Sequence, residues 1–287
     1  MRENHLELNS QELRARPILK WAGGKSGLIK QLLPLFPNQF TRYFEPFFGG
    51  GAVFFALNSK GASYLNDANP ELIELYEVVR EAPRLLARAL DSLSEQYSED
   101  FYYSLREKKP ELKVDRAART VFLNKTGFNG LYRQNSKGDF NVPFGKRVRC
   151  PVLYELDNLH RVAAVLRNAV LSTQDFEAVI DQAVAGDFVY CDPPYEPLSR
   201  TSSFNSYQRG GFSQEDQRRL KAACLRARSR GVSIVLSNSS ADFIKELYSD
   251  CDLRSISARR AINSKGSSRG EIQEVAVLML GSPAWQG

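Results

Sequence analysis

The apolar positions of this chain alternate between strand-like and helix-like patterns in two separate stretches. The first stretch predicts a strand, a glycine turn, a helix, a second strand and a second helix at residues 42–48, 49–51, 52–57, 62–65 and 70–79. The second of these strands ends at Asn66-Asp67. This order of elements is typical of the opening of a nucleotide-binding α/β unit.

The second stretch resumes the alternation near residue 154. It predicts helices at 154–166, 213–228 and 241–248 and strands at 169–172, 187–191, 232–237 and 274–280. The apolar strand at 187–191 runs straight into Asp192-Pro193-Pro194-Tyr195, and because a proline pair ends a strand, this tetrapeptide lies at a carboxyl edge. Open α/β sheets bind ligands at that edge, so the glycine turn, Asp67 and Asp192 form one predicted site.

Between the two stretches the α/β alternation lapses. Residues 81–113 are polar with helical spacing, and residues 116–123 continue that character. Residues 124–149 then form a loop rich in Gly, Asn, Arg and aromatic side chains. We therefore predict an α/β core that carries an inserted, mainly helical segment.

Composition narrows the class of protein. Of the 287 residues, 43% are hydrophobic and 25% are charged, which is near the average for globular proteins. No apolar run approaches the roughly 20 residues of a membrane span, and residues 1–16 lack the apolar centre of a signal peptide. We expect a cytoplasmic protein of at most two compact units, with no membrane association.

Charge and cysteine content bear on the partners. The net charge of +6 and the isoelectric point of about 9.1 favour a polyanion such as nucleic acid, although a solvated basic surface explains the same values. The four cysteines are widely spaced, form no C-x-x-C pair, and have only two histidines as possible co-ligands. We expect reduced thiols and no metal site.

The tetrapeptide Asp192-Pro193-Pro194-Tyr195 is the most specific chemical signal in the chain. An exocyclic adenine amine is a poor nucleophile because its lone pair is delocalised into the ring. A carboxylate and a backbone carbonyl, here Asp192 and Pro193, could accept both amine hydrogens and free that lone pair. The Tyr195 ring offers a flat face for an extruded base. The alternative is a strand-ending turn with a capping aspartate.

Two glycine-rich segments suggest a nucleotide-like ligand. The turn at 49–51 permits close backbone approach, and Asp67 lies where it could accept from ribose hydroxyls, although Phe54 replaces the third glycine of the dinucleotide fingerprint. Residues 21–26 end like a phosphate loop. Leu19 occupies the position of that motif's first glycine, so an NTPase is disfavoured, and a ligand with a carboxylate and a purine face fits better.

The loop at 124–149 mixes cations with aromatic rings and asparagines. The cations are Lys125, Arg133, Lys137, Lys146, Arg147 and Arg149, the aromatic residues are Phe128, Tyr132, Phe140 and Phe144, and the asparagines are Asn124, Asn129, Asn135 and Asn141. Arginine reads guanine, asparagine reads adenine, and aromatic rings wedge into base stacks, so the loop suggests DNA recognition. An ordinary basic surface is the alternative. A second basic loop at 259–269 has a solvated turn as its alternative.

Together these segments resemble the Dam family, the D12 class of DNA adenine methyltransferases. The matching motifs are Leu19-Lys20-Trp21-Ala22-Gly23-Gly24-Lys25, Phe44-Glu45-Pro46-Phe47, Asn66-Asp67-Ala68-Asn69, Gly127-Phe128-Asn129-Gly130-Leu131, Phe140-Asn141-Val142-Pro143-Phe144-Gly145 and Tyr190-Cys191-Asp192-Pro193-Pro194-Tyr195, with Pro197-Leu198-Ser199 beyond it. The resemblance covers roughly residues 17–280. It departs from the family at Phe128, where Tyr is frequent, and at Lys146, where Arg is common.

The resemblance implies a Rossmann-like, S-adenosylmethionine-dependent core at 17–69 and 155–287. A target-recognition domain at 70–154 and an N-terminal extension at 1–16 complete the implied organisation. The implied activity is methylation of a flipped adenine at N6, in GATC of double-stranded DNA, by an enzyme that we expect to be monomeric.

The resemblance also implies a role for each matching residue. Asp192, Pro193, Pro194 and Tyr195 would form the catalytic motif. The implied cofactor-binding residues are Trp21, Ala22, Gly23, Lys25, Glu45, Pro46, Phe47, Gly49, Asp67, Asp175, Phe176 and Asp192. The implied DNA-recognition residues are Lys20, Phe128, Asn129, Leu131, Arg133, Pro143 and Lys146, with Lys20 and Arg133 reading guanines and Phe128-Asn129 entering the duplex.

Two other functional classes stay open on the sequence alone. A methyltransferase of RNA or of a protein amide could share the glycine turn and the Asp-Pro-Pro-Tyr motif. A DNA-binding relative without catalysis would show damage at Asp192, at Tyr195 or in the glycine turn, and all three are intact.

Overall fold

The computed structural model describes residues 14–21, 23–59, 61–135, 138–198, 211–258 and 272–281. Its strands are β1 Tyr43–Glu45, β2 Ser63–Asn66, β3 Ala169–Ser172, β4 Phe188–Cys191, β5 Ser233–Ser239, β6 Asp252–Ala258 and β7 Ile272–Met279. They form one seven-stranded sheet in the order β3-β2-β1-β4-β5-β7-β6.

The strand order reverses direction between β1 and β4. β1 is parallel to β2 and to β4, β4 is parallel to β5, and β7 is antiparallel to both β5 and β6. The residue pairs Tyr43–Phe188 and Phe44–Val189 set the register of β1 and β4. In open α/β sheets such a reversal marks the place where ligands bind, outside the carboxyl ends of the two strands. Glu45 ends β1 there, and Asp192 follows β4.

The helices of the described residues are α1 Ile29–Leu32, α2 Ala52–Leu57, α3 Pro70–Glu81, α4 Pro83–Glu95, α5 Glu99–Glu107, α6 Lys113–Thr126, α7 Leu156–Leu166, α8 Phe176–Ile180, α9 Gln214–Ser229 and α10 Asp242–Leu247. Short 3-10 turns occupy Lys25–Gly27, Leu33–Leu35 and Phe128–Gly130. Local sequence sets several starts: Asn69 caps α3, and Ser213 with Asp216 forms a capping box on α9. None of these helices is both long and apolar enough to cross a membrane.

The chain divides into two compact units. The helical unit comprises the described parts of 1–24, 49–58 and 69–171, and it contains α2 to α7. Its core includes the fully buried side chains of Leu72, Tyr76, Leu90 and Phe122. Helices α3 and α4 pack against α6 and α7.

The sheet unit comprises the described parts of 25–48, 59–68 and 172–287. It contains every strand except the first three residues of β3. One apolar cluster joins β4, β5 and β7 to α8, α9 and α10, and it includes Val189, Ile234, Leu220 and Ile244, all fully buried. This core fixes the strands whose carboxyl ends bear the polar residues described below.

The predicted α/β class is confirmed as a mixed α/β protein with a seven-stranded sheet. The predictions for 52–57 and 169–172 match α2 and β3. The strand predicted at 42–48 is too long, because the chain leaves the sheet at Pro46. Residues 81–113 hold two helices, α4 and α5, separated by a break after Glu95. The inserted recognition domain at 70–154 stays a prediction.

Candidate active site

Asp192 is held at the carboxyl end of β4 by two donors. Its side chain keeps 21% of its accessible surface, against 4% for Lys25. Lys25 Nζ lies 2.9 Å from Asp192 Oδ1, and Ser237 Oγ donates to the same oxygen over 2.9 Å. An ammonium and a hydroxyl therefore fix one carboxylate oxygen, which leaves Oδ2 as the acceptor that can face a substrate.

Burial and charge act against each other at Asp192. Burial raises the pKa of Asp192 above its ordinary value, while the Lys25 ammonium and the hydrogen bonds from Lys25, Ser237 and Tyr195 oppose that rise. Burial dominates, so the carboxylate protonates at a higher pH than a solvated aspartate. Any reaction that needs ionised Asp192 is therefore lost earlier on acidification.

Tyr195 is oriented from both its hydroxyl and its ring. Its hydroxyl donates to Glu274 Oε2 over 2.6 Å, and Lys25 Nζ lies 4.5 Å from the ring centroid. Burial raises the pKa of Tyr195, so the phenol stays neutral and keeps the proton that it donates. These contacts fix the plane of the ring near the carboxyl end of β4.

The proline pair is fixed by a buried amide chain. Gln217 Nε2 donates to the Pro194 carbonyl over 3.0 Å, and Asn238 Nδ2 donates to Gln217 Oε1 over 3.1 Å. Gln217 and Asn238 have no accessible surface. Within the described part of the chain, no donor meets the Pro193 carbonyl, which therefore remains an acceptor for a substrate.

Asn66 ties together the loops that follow the neighbouring strands of the sheet unit. Its side-chain Nδ2 donates to the backbone carbonyls of Pro46 and Gln174 over 3.1 Å and 3.0 Å. Its side-chain Oδ1 accepts from Ser172 Oγ and from the backbone amide of Gln174. Asp67 follows directly, half-buried, and its amide donates to Ser172. The local structure thus fixes the backbone of the residue predicted to hold a ribose.

An aromatic surface lies beside Asp175. The ring centroids of Phe47 and Phe176 are 5.4 Å apart in a stacked arrangement, and Phe212 lies 5.5 Å from each. Asp175 caps α8 and accepts from Arg219 over 3.0 Å, and the Arg219 guanidinium lies 4.9 Å from the Phe176 centroid. A carboxylate beside flat apolar rings suits a purine with an exocyclic amine.

In contrast, Glu45 is nearly fully buried and accepts from the Tyr43 hydroxyl over 2.7 Å. Its predicted role at the cofactor is not tested by this geometry, and neither is that of Pro46, whose carbonyl is bound by Asn66.

In the helical unit, Gly49 and Gly50 leave room for the Trp21 side chain. A Cβ on Gly49, which has φ +49°, would lie 2.9 Å from the Trp21 ring, and one on Gly50 would lie 3.0 Å from Trp21 Cβ. Trp21 also stacks on Tyr132, with ring centroids 4.8 Å apart. The close approach that these glycines permit is therefore used, at least in part, by the indole. Gly23 has φ +75°, and Ala22 lies outside the described residues.

Asn124 lies on α6, which extends into residues 124–149, the segment that the sequence predicts to be a loop and that we call the recognition loop. It has no accessible surface, and it accepts from the Lys20 amide while donating to the carbonyls of Lys20 and Gly130. The suggestion that it reads adenine is therefore wrong. Its bonds place Lys20, an exposed side chain whose Nζ lies 3.4 Å from the Asn129 carbonyl.

The exposed part of the loop is smaller than its composition indicates. Phe140 and Phe144 are buried, so the suggestion that they wedge into base stacks is wrong, whereas Phe128 is 50% exposed. Leu131 is also exposed, and Asn129 has φ +55°, a left-handed conformation that sets the turn. Pro143, Lys146 and Arg149 are exposed as well, and the Pro143 carbonyl accepts from the Phe128 amide.

The Arg133 guanidinium is hydrogen-bonded to Asn141. Its Nε donates to Asn141 Oδ1 over 2.7 Å, and one Nη2 hydrogen points to the Asn141 carbonyl at 3.3 Å. The side chain is exposed, and none of its hydrogen bonds within the described residues uses Nη1. An arginine held on one edge keeps its terminal fork in a fixed plane, as bidentate contact with a base requires.

Sequence reasoning missed Ser237, Gln217, Glu274 and Arg219. All four lie on strands or helices far along the chain from the residues they contact. One signal was available: the polar run Ser237-Asn238-Ser239 ends an otherwise apolar strand, directly beside the predicted catalytic strand. No group of His, Cys, Asp or Glu among the described residues is arranged to hold a metal ion.

Comparison with known proteins gives one consistent result. A family model for the D12 class of N6 adenine-specific DNA methyltransferases matches residues 21–262. The chain is 40% identical over 283 residues to the Type II methyltransferase M1.LlaDCHI of Lactococcus lactis, covering 96% of this chain and 99% of that one. It is 38% identical to the Type II methyltransferase M.MjaIII of Methanocaldococcus jannaschii, covering 93% and 99%.

A third relative is the DNA adenine methylase of Escherichia coli K12. It is 34% identical over 268 residues, covering 92% of this chain and 95% of that protein. Three relatives from different organisms thus align along almost their whole length.

Proposed function

Because this chain belongs to the D12 class of N6 adenine-specific DNA methyltransferases, we propose that Asp192, Pro193 and Tyr195 hold the target adenine during methyl transfer. The protein is an S-adenosylmethionine-dependent DNA adenine methyltransferase. The residue assignment rests on two hydrogen-bond acceptors at the end of β4, Asp192 Oδ2 and the Pro193 carbonyl, which the protein leaves available to a substrate. The contacts from Lys25 and Ser237 are both to Asp192 Oδ1, and Gln217 binds the carbonyl of Pro194 rather than that of Pro193.

The two acceptors would act on the two hydrogens of the amine. Asp192 Oδ2 accepts one and the Pro193 carbonyl accepts the other, which draws the nitrogen towards tetrahedral geometry and localises its lone pair. The ionised carboxylate also stabilises the positive charge that develops on the methylated nitrogen. Tyr195 presents its ring as the stacking face for the extruded base.

S-adenosylmethionine, when bound, supplies the electrophilic methyl group. The residues beside α8 fit its adenine moiety, because Asp175 can accept from an exocyclic amine while Phe47 and Phe176 offer flat apolar rings. Asp67 fits a ribose, as a carboxylate on a backbone fixed by Ser172. The cofactor roles of Trp21, Gly23 and Gly49 remain predictions.

We propose GATC in double-stranded DNA as the target sequence. The resemblance of the recognition loop to the Dam family supports this, as does the similarity to proteins named DNA adenine methylase. In this proposal the fork of Arg133 reads a guanine, the exposed Phe128 enters the stack, and Lys20 contacts a second guanine. The +6 net charge fits a polyanionic substrate.

The test is methyl transfer to short duplexes with radiolabelled cofactor. One duplex contains GATC, and others change a single base pair of that site. We expect GATC to give the highest kcat/KM, by roughly tenfold or more over each variant for every lost bidentate contact. Equal rates on all adenine-containing duplexes would reject GATC while leaving the N6 chemistry intact.

A further inference from the structure

Two buried hydroxyls lie behind the catalytic aspartate. Tyr190 is on β4 and Ser237 is on β5, and neither has accessible surface. The parallel register pairs Cys191 with Leu236, so Ser237 is next in line beside Asp192. Because strand side chains alternate, Tyr190 and Asp192 share one face of the sheet. Tyr190 OH lies 2.9 Å from Ser237 Oγ, which lies 2.9 Å from Asp192 Oδ1.

While Asp192 is ionised, only one arrangement of protons is possible in the hydrogen bonds that link Tyr190, Ser237 and Asp192. A carboxylate accepts but does not donate, so the single proton of Ser237 goes to Asp192. Tyr190 must then donate to the Ser237 oxygen. Burial raises the pKa of Tyr190, which keeps that proton in place. The result is a relay of donors, Tyr190 to Ser237 to Asp192, in which each bond strengthens the next.

We infer that Ser237, backed by Tyr190, is a positioning residue for adenine methylation. It fixes the rotation of the Asp192 carboxyl group so that Oδ1 stays with the protein and Oδ2 meets the amine. It also favours the ionised form of Asp192, which buried surroundings disfavour. Ser237 contacts no substrate in this account, and the inference rests on the proposed role of Asp192.

The geometry explains why a second donor is needed beside Lys25. Lys25 reaches Asp192 Oδ1 on a flexible four-carbon stem, and its ammonium also lies over the Tyr195 ring. A point charge attracts the carboxylate but does not set its plane. The short Ser237 side chain, which projects from a central strand of the sheet, supplies that constraint.

Ser237→Ala should lower kcat about tenfold to a hundredfold, the range set by a hydrogen bond to a charged group. The KM for DNA and the affinity for S-adenosylmethionine should stay near wild type. Loss of a donor to the ionised form raises the pKa of Asp192 further, so the acidic limb of the kcat–pH profile should move to higher pH. Ser237→Thr, which keeps the hydroxyl, should restore the profile.

A matched control is available in the same sheet. Ser63 on β2 is also a buried serine, 3% exposed, and among the described residues its hydroxyl makes only a long 3.4 Å contact to the Gly61 carbonyl. Ser63→Ala should leave kcat and the pH profile unchanged. If Ser237→Ala fails to fold, Tyr190→Phe answers the same question, because it removes one oxygen and should shift the acidic limb the same way by less.

A double variant tests the relay itself. Tyr190→Phe combined with Ser237→Ala should be no worse in kcat than Ser237→Ala alone, because Tyr190 acts only through Ser237. The inference is overturned if Ser237→Ala shows the wild-type kcat and pH profile, or lowers kcat with an unmoved acidic limb. If Asp192→Ala itself keeps turnover, the proposed role of Asp192 is wrong, whatever Ser237 does.

Discussion

The end of β4 and the recognition loop differ in how far the protein itself fixes their side chains. At the end of β4, Asp192, Pro194 and Tyr195 each have a protein partner that fixes one atom. In the loop, Phe128 and Leu131 are exposed, and Arg133 is exposed while Asn141 binds its Nε and Nη2. Methyl transfer depends on alignment that exists before the substrate arrives, whereas base recognition needs surfaces that only DNA completes.

This contrast gives different expectations for substitutions. Changes at the end of β4 should affect kcat and leave the choice of sequence alone. Changes in the loop should alter the choice of sequence or the affinity for DNA. The predictions below run from the largest expected effect to the smallest.

Asp192→Ala should lower kcat by a factor on the order of a thousand or more, because it removes the acceptor for the amine and for developing charge. DNA binding should change little, since no phosphate contact is assigned to Asp192. The measurement is single-turnover methylation beside fluorescence anisotropy with the same duplex.

Stability needs a control here. Lys25 is buried and loses its ion-pair partner in Asp192→Ala, which destabilises a protein. The double variant Asp192→Ala with Lys25→Met should melt closer to wild type and still be inactive. Recovery of turnover in the double variant would show that misplaced Lys25, rather than loss of Asp192, caused the defect.

Tyr195→Ala should lower kcat/KM about tenfold to a hundredfold, since stacking on an aromatic ring contributes roughly 1–3 kcal/mol per base. Tyr195→Phe keeps the ring and loses the hydroxyl that binds Glu274 and supports Asp192, so its loss should be several-fold smaller. Steady-state kinetics on one GATC duplex compares them. Equal losses in both variants would assign the function to the hydroxyl and reject the stacking role.

Arg133→Ala should reduce discrimination between GATC and the duplex altered at the guanine it reads. A bidentate contact gives about 1–3 kcal/mol of discrimination, roughly tenfold to over a hundredfold. Asn141→Ala should do the same to a smaller extent, because it releases Nε of Arg133 without removing the fork. The ratio of kcat/KM values on the two duplexes is the readout. An unchanged ratio in Arg133→Ala would mean that Arg133 contacts the DNA backbone and does not read a base.

Arg149→Ala is the matched contrast and the smallest effect. Arg149 is exposed in the same loop, and we expect it to contact phosphate alone. Binding to all duplexes should weaken alike, and the slope of log K against log salt should become shallower by about 0.9. A change in the preference for GATC over its variants would mean that Arg149 contacts a base.

Much of the fold followed from hydrophobic patterning, and the failures have physical causes. The buried strands and the longer helices carry strong periodicity, so their existence was predictable. β6 was missed because an edge strand such as Asp252–Ala258 alternates polar residues and resembles a loop. α8 was missed because five residues are too few to show helical spacing.

The site divides in the same way. The position of Asp192 and Tyr195 after a buried strand was predictable because one contiguous motif carries both residues. The partners Ser237 and Glu274 were not, since they meet that motif only through the pairing of β4, β5 and β7. Asn124 was misjudged because the sequence predicts a loop from residue 124 onwards, whereas the buried end of α6 includes this residue.

The most direct test of the account is a map of methylated adenines in DNA from cells that lack their own adenine methylation and express this chain. The account predicts N6-methyladenine confined to GATC with the wild type, and none with Asp192→Ala made in equal amount. Methyladenine at the same sites with Asp192→Ala, or no methyladenine with the wild type, would contradict it.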